Sequence, residues 1–158
     1  MRRRRRGALT AIATLLAAAL GASAAVGAPG TIATVAGTGA YGSAGDGGPA
    51  TSATLRAPRT VAFLPDGSYL VPEFRGNRVR RVAPDGTITR VAGTGAAGYA
   101  GDGGPATSAL FRGITDVAAT PDGGYLLVDE LNGVVRKVSA GGVVRTVAGT
   151  GTRACPAA

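Results

Sequence analysis

From Thr31 onward, apolar residues come in short runs, and each run is closed by a turn signal. Thr60-Val-Ala-Phe-Leu64 ends in Pro65-Asp66-Gly67, where proline sets φ and glycine supplies the positive φ of a tight turn. Ser68-Tyr-Leu-Val71 follows, then Arg75-Gly76-Asn77, then Arg78-Val-Arg-Arg-Val82, then Pro84-Asp85-Gly86 and Thr87-Ile-Thr-Arg-Val-Ala92. Four short β-prone runs with hairpin turns at regular spacing predict a four-stranded antiparallel sheet. The scheme recurs at Asp116–Thr120, Tyr125–Asp129, Val134–Val138 and Val143–Ala148. Outside the leader, no segment has the 3.6-residue period of a helix.

The recurrence has a fixed period. Val-Ala-Gly-Thr-Gly starts at Val35, Val91 and Val147, and residues 31–86 match residues 87–142 at 31 of 56 positions. A period of this size marks a repeat architecture, in which each unit needs neighbours to bury its faces. The best-matched part is the long loop Gly37–Pro58, which carries Gly45-Asp-Gly-Gly-Pro-Ala-Thr-Ser-Ala53, repeated unchanged at Gly101–Ala109. Loops this long are usually functional or disordered. Within it, Pro49–Leu55 is expected to form one short helical turn that tucks Leu55, or Phe111 in the second copy, under the sheets. Alternation is imperfect in Arg78–Val82, which suits a sheet covered on both faces. Its arginine stems are expected to lie along the sheet with their heads at the rim.

The chain resembles the NHL-repeat family of β-propellers, in the long-loop version of secreted bacterial and teneurin-like proteins. The resemblance covers residues 31–151. It rests on Val35-Ala-Gly-Thr-Gly, Gly45-Asp-Gly-Gly-Pro-Ala-Thr-Ser-Ala, Pro65-Asp-Gly and Gly76-Asn-Arg-Val-Arg-Arg-Val. The family's Val-Ala-Asp at the end of the second strand reads Val71-Pro72-Glu73 and Leu127-Val128-Asp129 here, and a proline inside a strand loses a ladder bond. Its Asn-His-Arg reads Gly76-Asn77-Arg78 and Asn132-Gly133-Val134. The implied fold is all-β: two complete propeller blades (31–86 and 87–142, with a partial repeat at 143–151) plus an orphan strand at Ile32–Ala36. A propeller ring takes about 4–8 blades, so this ring is incomplete. A truncated remnant, a ring built from several copies and a free-standing piece all fit the count. Nine strands do not divide by four, which weighs against a ring of copies. The implied role is a non-enzymatic binding module for a protein or carbohydrate ligand, and the alternative is a remnant of a propeller hydrolase or lyase whose catalytic blades are absent.

The first residues change the charge picture. Arg2–Arg6, the apolar run Ala8–Val26 and the Ala22-Ser23-Ala24 cleavage pattern lay out a secretory signal peptide over 1–24, followed by a short linker at 25–30. The rival reading is an uncleaved anchor facing outward, the one route to a membrane. The net charge of +8 contains five leader arginines, and without them 12 bases face 9 acids. That is no nucleic-acid signature. The single cysteine, Cys155, allows no internal disulfide. It stands at prenylation spacing in Cys-Pro-Ala-Ala, but an exported chain would not meet that enzyme, and residues 152–158 read as a disordered tail.

Candidate chemistry is sparse. The chain has no histidine, which removes histidine-based acid–base and nucleophile systems and the commonest zinc ligand. Gly-Thr-Gly and Gly-Asp-Gly-Gly lack the Lys-Ser/Thr of a phosphate loop. Asp46 and Asp102, in glycine-rich loops with many carbonyls, are weak candidates for calcium, which prefers such oxygens. Asp129-Glu130 reads as a solvated strand edge. No catalytic residue and no cofactor is expected. Open blade faces at Val61, Phe63, Val117 and Leu126, and open strand edges at Ile32–Ala36 and Val143–Ala148, predict self-association or partial unfolding.

Overall fold

The computed structural model describes residues 30–151. The leader with its cleavage site, the linker up to residue 29, and the tail with Cys155 lie outside the described residues. Eight strands form two four-stranded antiparallel sheets. The first contains β1 (Ala62–Phe63), β2 (Tyr69–Glu73), β3 (Arg78–Val82) and β4 (Ile88–Ala92) in sequence order. The second repeats that order with β5 (Ile114–Ala119), β6 (Tyr125–Asp129), β7 (Val134–Val138) and β8 (Val144–Ala148). The turns close as the sequence demands. Asp66 Oδ1 accepts the Ser68 N–H at 3.0 Å, and Gly67 adopts φ +82. Asp85 Oδ1 accepts the Thr87 N–H at 2.9 Å in the corresponding turn between β3 and β4.

Two strand expectations need correction. Ile32–Ala36 is not a strand. It aligns with Ile88–Ala92, but the described residues supply no sheet for it to join. Ile32 is fully exposed, whereas Ile88 is buried. The sheets therefore hold eight strands, two whole blades with none left over. The strand expected over Thr60–Leu64 shrinks to Ala62–Phe63. Pro58 stands where the second copy has Ile114, and proline has no N–H to give a ladder. With isoleucine there, β5 begins at Ile114, opposite Asp129, two residues earlier than its pattern predicts. Pro72 is held inside β2 opposite Val79, and its carbonyl accepts the Arg59 N–H at 3.3 Å.

Each long loop belongs to the sheet that follows it. The first crosses to β4, where Gly47 N–H meets the Ile88 carbonyl at 2.8 Å and Ile88 N–H meets the Gly48 carbonyl at 3.0 Å. The second does the same on β8, with Gly103 to Val144 at 2.8 Å and Val144 to Gly104 at 3.1 Å. Asp102 Oδ2 then accepts the Thr146 N–H at 3.0 Å. The edge expected to be open at Val143–Ala148 is thus paired at Val144 and Thr146, because the loop folds back onto it. The expected short helical turn forms as 3₁₀ turns at Ala50–Ser52 and Ala106–Ser108, and these bury Ala50, Ala53, Ala106 and Ala109. Phe111 is fully buried, while Leu55 is partly exposed. Gly45 and Gly101 are required: a Cβ on either would lie 2.8 Å from the Cα of Ala53 or Ala109, and both adopt positive φ.

One core cluster crosses between the sheets. Leu70, Val79 and Ala92 of the first pack with Phe111, Ile114, Val117 and Leu127 of the second blade. Val117, expected to face water, is 6% exposed because the first sheet covers it. At the other end of this interface Asn77 bridges both blades, accepting the Gly113 N–H at 2.9 Å and donating to the Gly95 carbonyl at 3.3 Å.

Candidate functional site

The repeated loop and the third strand meet at a buried arginine in each blade. Arg136 is fully buried on β7. Its guanidinium contacts Asp102 Oδ1 at 3.1 Å through Nε and 2.5 Å through Nη2. It also donates to the carbonyls of Leu110 at 2.9 Å and Ala100 at 3.0 Å, so one fork holds both limbs of the loop. Its charge lies 4.7 Å from the centre of the Phe111 ring and 5.4 Å from that of Tyr99. Arg80 holds the first loop in the same way, with Asp46 at 2.8 Å and the Ala44 carbonyl at 3.4 Å. Glu73 lies 3.4 Å from Arg80, and its other oxygen accepts from the Ser43 hydroxyl at 2.6 Å. These heads are interior, not at the rim as their sequence positions suggested. A buried guanidinium needs paired charge and filled hydrogen bonds; Arg136 has both, whereas Arg80 has its charge paired by Asp46 and Glu73 but its buried Nε lacks a hydrogen-bond partner among the described residues.

Both calcium candidates therefore face a guanidinium. Among the described residues, no group of three or more His, Cys, Asp or Glu side chains is placed to hold a metal ion. Partial burial pushes the Asp102 carboxyl up, but the bonds from Thr146 and Arg136 outweigh it and hold it below the ordinary range. Asp129, expected at a solvated edge, is fully buried. It accepts from the Arg112 N–H at 2.7 Å and from Asn132 at 2.8 Å, and sits 4.0 Å from Arg136. Burial raises its pKa, and the same cause raises that of Glu73. The sequence did carry a signal for this network. An arginine between valines recurs on the third strand, an identical loop aspartate lies 34 residues before it, and an acid ends the second strand of both copies.

A cleft of about 560 Å³ opens between the two sheets, at the end where the β1–β2, β5–β6 and β7–β8 turns meet. Leu64, Leu70, Val91 and Val138 form apolar walls, and Arg81 and Arg90 add charge. Arg81 pairs with Asp66, and Arg90 donates to the Gly93 carbonyl at 2.7 Å and the Thr107 carbonyl at 3.1 Å. Tyr125 lines the cleft, 7% exposed, and its buried hydroxyl has no hydrogen-bond partner among the described residues. Burial raises its pKa, which keeps it a neutral donor and acceptor. Its counterpart Tyr69 donates to the Val35 carbonyl at 3.4 Å.

Two twisted four-stranded sheets packed face to face, each with its strands in sequence order, are β-propeller-type blades, here two blades of an open set. No family model matches the chain. It is 37% identical to Teneurin-m of Drosophila melanogaster over 101 residues, a match covering 56% of this chain and 4% of that protein. A Bacteroides thetaiotaomicron structural-genomics protein of unknown function superposes with TM-score 0.54 at 22% identity, over 70% of this chain and 26% of the other. An auxiliary nutrient binding protein from the same organism gives TM-score 0.55 at 23% identity, over 65% of this chain and 27% of the other. The chain thus spans about a quarter of these solved chains and a small fraction of Teneurin-m. At such identities the solved structures establish the shared fold alone. No helix among the described residues is long and apolar enough to cross a membrane.

Proposed function

We propose that this chain is a non-enzymatic binding module built from NHL-type propeller blades and carried outside the cytoplasm. The observation that carries the reading is the division of labour between its two polar sites. The repeated loops, the obvious candidates for ligand contact, are occupied in holding arginines and covering strand edges. The cleft between the blades remains, and its volume of about 560 Å³ falls in the usual range for ligand pockets, about 300–1,000 Å³. Apolar walls and two arginines suit a carbohydrate or a peptide segment, whose apolar faces would lie on the walls and whose hydroxyls or carbonyls would meet Arg81 and Arg90. The teneurin-like stretch supports the blade type, and the nutrient-binding neighbour shares the fold without indicating this chain's ligand. The leader sequence supports export.

The test is a screen of arrayed glycans and displayed peptides, followed by calorimetry on each hit. Ala140 is exposed and lines the cleft, so Ala140→Trp fills it without entering the core. Binding that Ala140→Trp abolishes supports the reading. Hits indifferent to Ala140→Trp would place recognition elsewhere. Turnover of ester, lactone or peptidylglycine substrates that one substitution in this chain removes would contradict the non-enzymatic part.

A further inference from the structure

The 56-residue offset pairs six covered positions of the internal interface with less covered ones on the outside. On the first sheet, Leu70, Val79 and Ala92 are fully buried because the second blade covers them. Their counterparts Leu126, Val135 and Ala148 are half-buried or exposed. On the entry side of the second blade, Phe111, Ile114 and Val117 are buried under the first. Their counterparts Leu55, Pro58 and Val61 are partly or fully exposed, Val61 by 55%. These three line a groove of about 390 Å³ with Val35, Ala36, Tyr69 and Val71. The molecule therefore carries both halves of an interface that it already makes once within itself.

We propose that the β6–β8 face of one copy docks on the Leu55–Val61 groove of a second copy, repeating the internal blade–blade contact head to tail. Such a contact uses two different patches, so it propagates until a ring closes or a filament grows. Two sheets among the described residues give three copies six sheets, inside the usual range of about 4–8 blades. The surplus strand that would have stood against such a ring is absent, since Thr31–Ala36 joins no sheet. Val35 and Ala36 of that segment line the groove, with the Val35 carbonyl on the Tyr69 hydroxyl at 3.4 Å, so docking requires Thr31–Ala36 to give way to β8 of the preceding copy. One tether is weaker between copies than within one. Asn77 bonds the Gly113 N–H across the internal interface, and at the 56-residue offset Gly133 replaces Asn77 and Ala57 replaces Gly113. Gly133 has φ +67, close to the +49 of Asn77, and a Cβ there meets nothing within 4 Å.

The test is the mass of the full-length chain, expressed with its own leader, measured by light scattering across a concentration series. Val61→Glu and Ala148→Glu alter residues exposed in the single copy and central to the docked one. The proposal predicts mass that rises with concentration, and a dissociation constant raised at least about tenfold by either variant. It also predicts that mixing the two variants restores dimers and nothing larger, because one intact junction remains. Gly133→Asn should tighten association by roughly three- to tenfold, the worth of one added hydrogen bond. Ile32→Asp should change nothing. A single-chain mass at every concentration overturns the proposal, as does association indifferent to both glutamates. Loss of association in Ile32→Asp alone overturns it too, in favour of strand donation by Thr31–Ala36.

Discussion

Replacing Arg136 with alanine should be among the most damaging single changes in the second blade. The substitution removes the fork that holds Asp102 and the carbonyls of Ala100 and Leu110, and it leaves Asp129 buried without its cation. It also strips the guanidinium from the Phe111 and Tyr99 rings. Breaking a buried ion pair by deleting one partner costs about 3–5 kcal/mol, mostly from the charge left behind. Against a total of about 5–15 kcal/mol for a folded domain, that is a large share. The assay is urea unfolding followed by circular dichroism, with Arg136→Lys as a milder variant that keeps the charge but loses the fork. Arg80→Ala is the internal comparison. Its contacts to Glu73 and the Ala44 carbonyl are both 3.4 Å, and Ser43 and Arg78 still attend Glu73, so it should cost less. If Arg136→Ala stays within about 0.5 kcal/mol of wild type, as ordinary surface changes do, the clamp is not structural.

Gly101→Ala should destabilise by about 1–3 kcal/mol through overpacking against Ala109, whereas Gly103→Ala, with open space around its Cβ, should cost less; paired denaturation curves compare them. Phe111→Ala should cost about 3–5 kcal/mol, and Leu55→Ala, half-exposed in the first blade, distinctly less by the same assay. Asp102 is held below its ordinary value of 3.8, so its contribution is present above that pH and lost as pH falls through the native value. Asp102→Asn should therefore flatten the acid limb of stability below about pH 4. Glu73 and Asp129 have the opposite sign: their raised values mean stability present at low pH and lost as pH rises through the native value, so Glu73→Gln should steepen the acid loss. Mass spectrometry of the exported fraction should find cleavage after Ala24, and intact chain in the cytosol would contradict export.

Periodicity and turn chemistry made most of the fold legible. Pro65-Asp66-Gly67 and its repeats place the hairpins, and the 56-residue offset gives two sheets. What the sequence misplaced depended on neighbours. Ile32–Ala36 has the residues of β4, but a strand needs a sheet to pair with. Asp129 looks solvated beside Glu130, yet tertiary packing puts Arg136 and Asn132 around it. Asp46 and Asp102 suggested calcium because glycine-rich loops expose oxygens, while the arginines that meet them lie 34 residues further on, across a fold that spacing alone does not reveal. The cleft was invisible for the same reason: its walls come from both repeats.

Amide hydrogen exchange at the outer edge of the second blade tests the central claim most directly, that the repeated loops are arginine-held edge covers rather than ligand loops. The account predicts that the Gly103, Val144 and Thr146 amides exchange as slowly as the ladder amides of β6 in the unliganded protein. It further predicts that Arg136→Lys frees those three selectively. Fast exchange at Gly103 and Val144 in the wild-type chain, with β6 still protected, would contradict it.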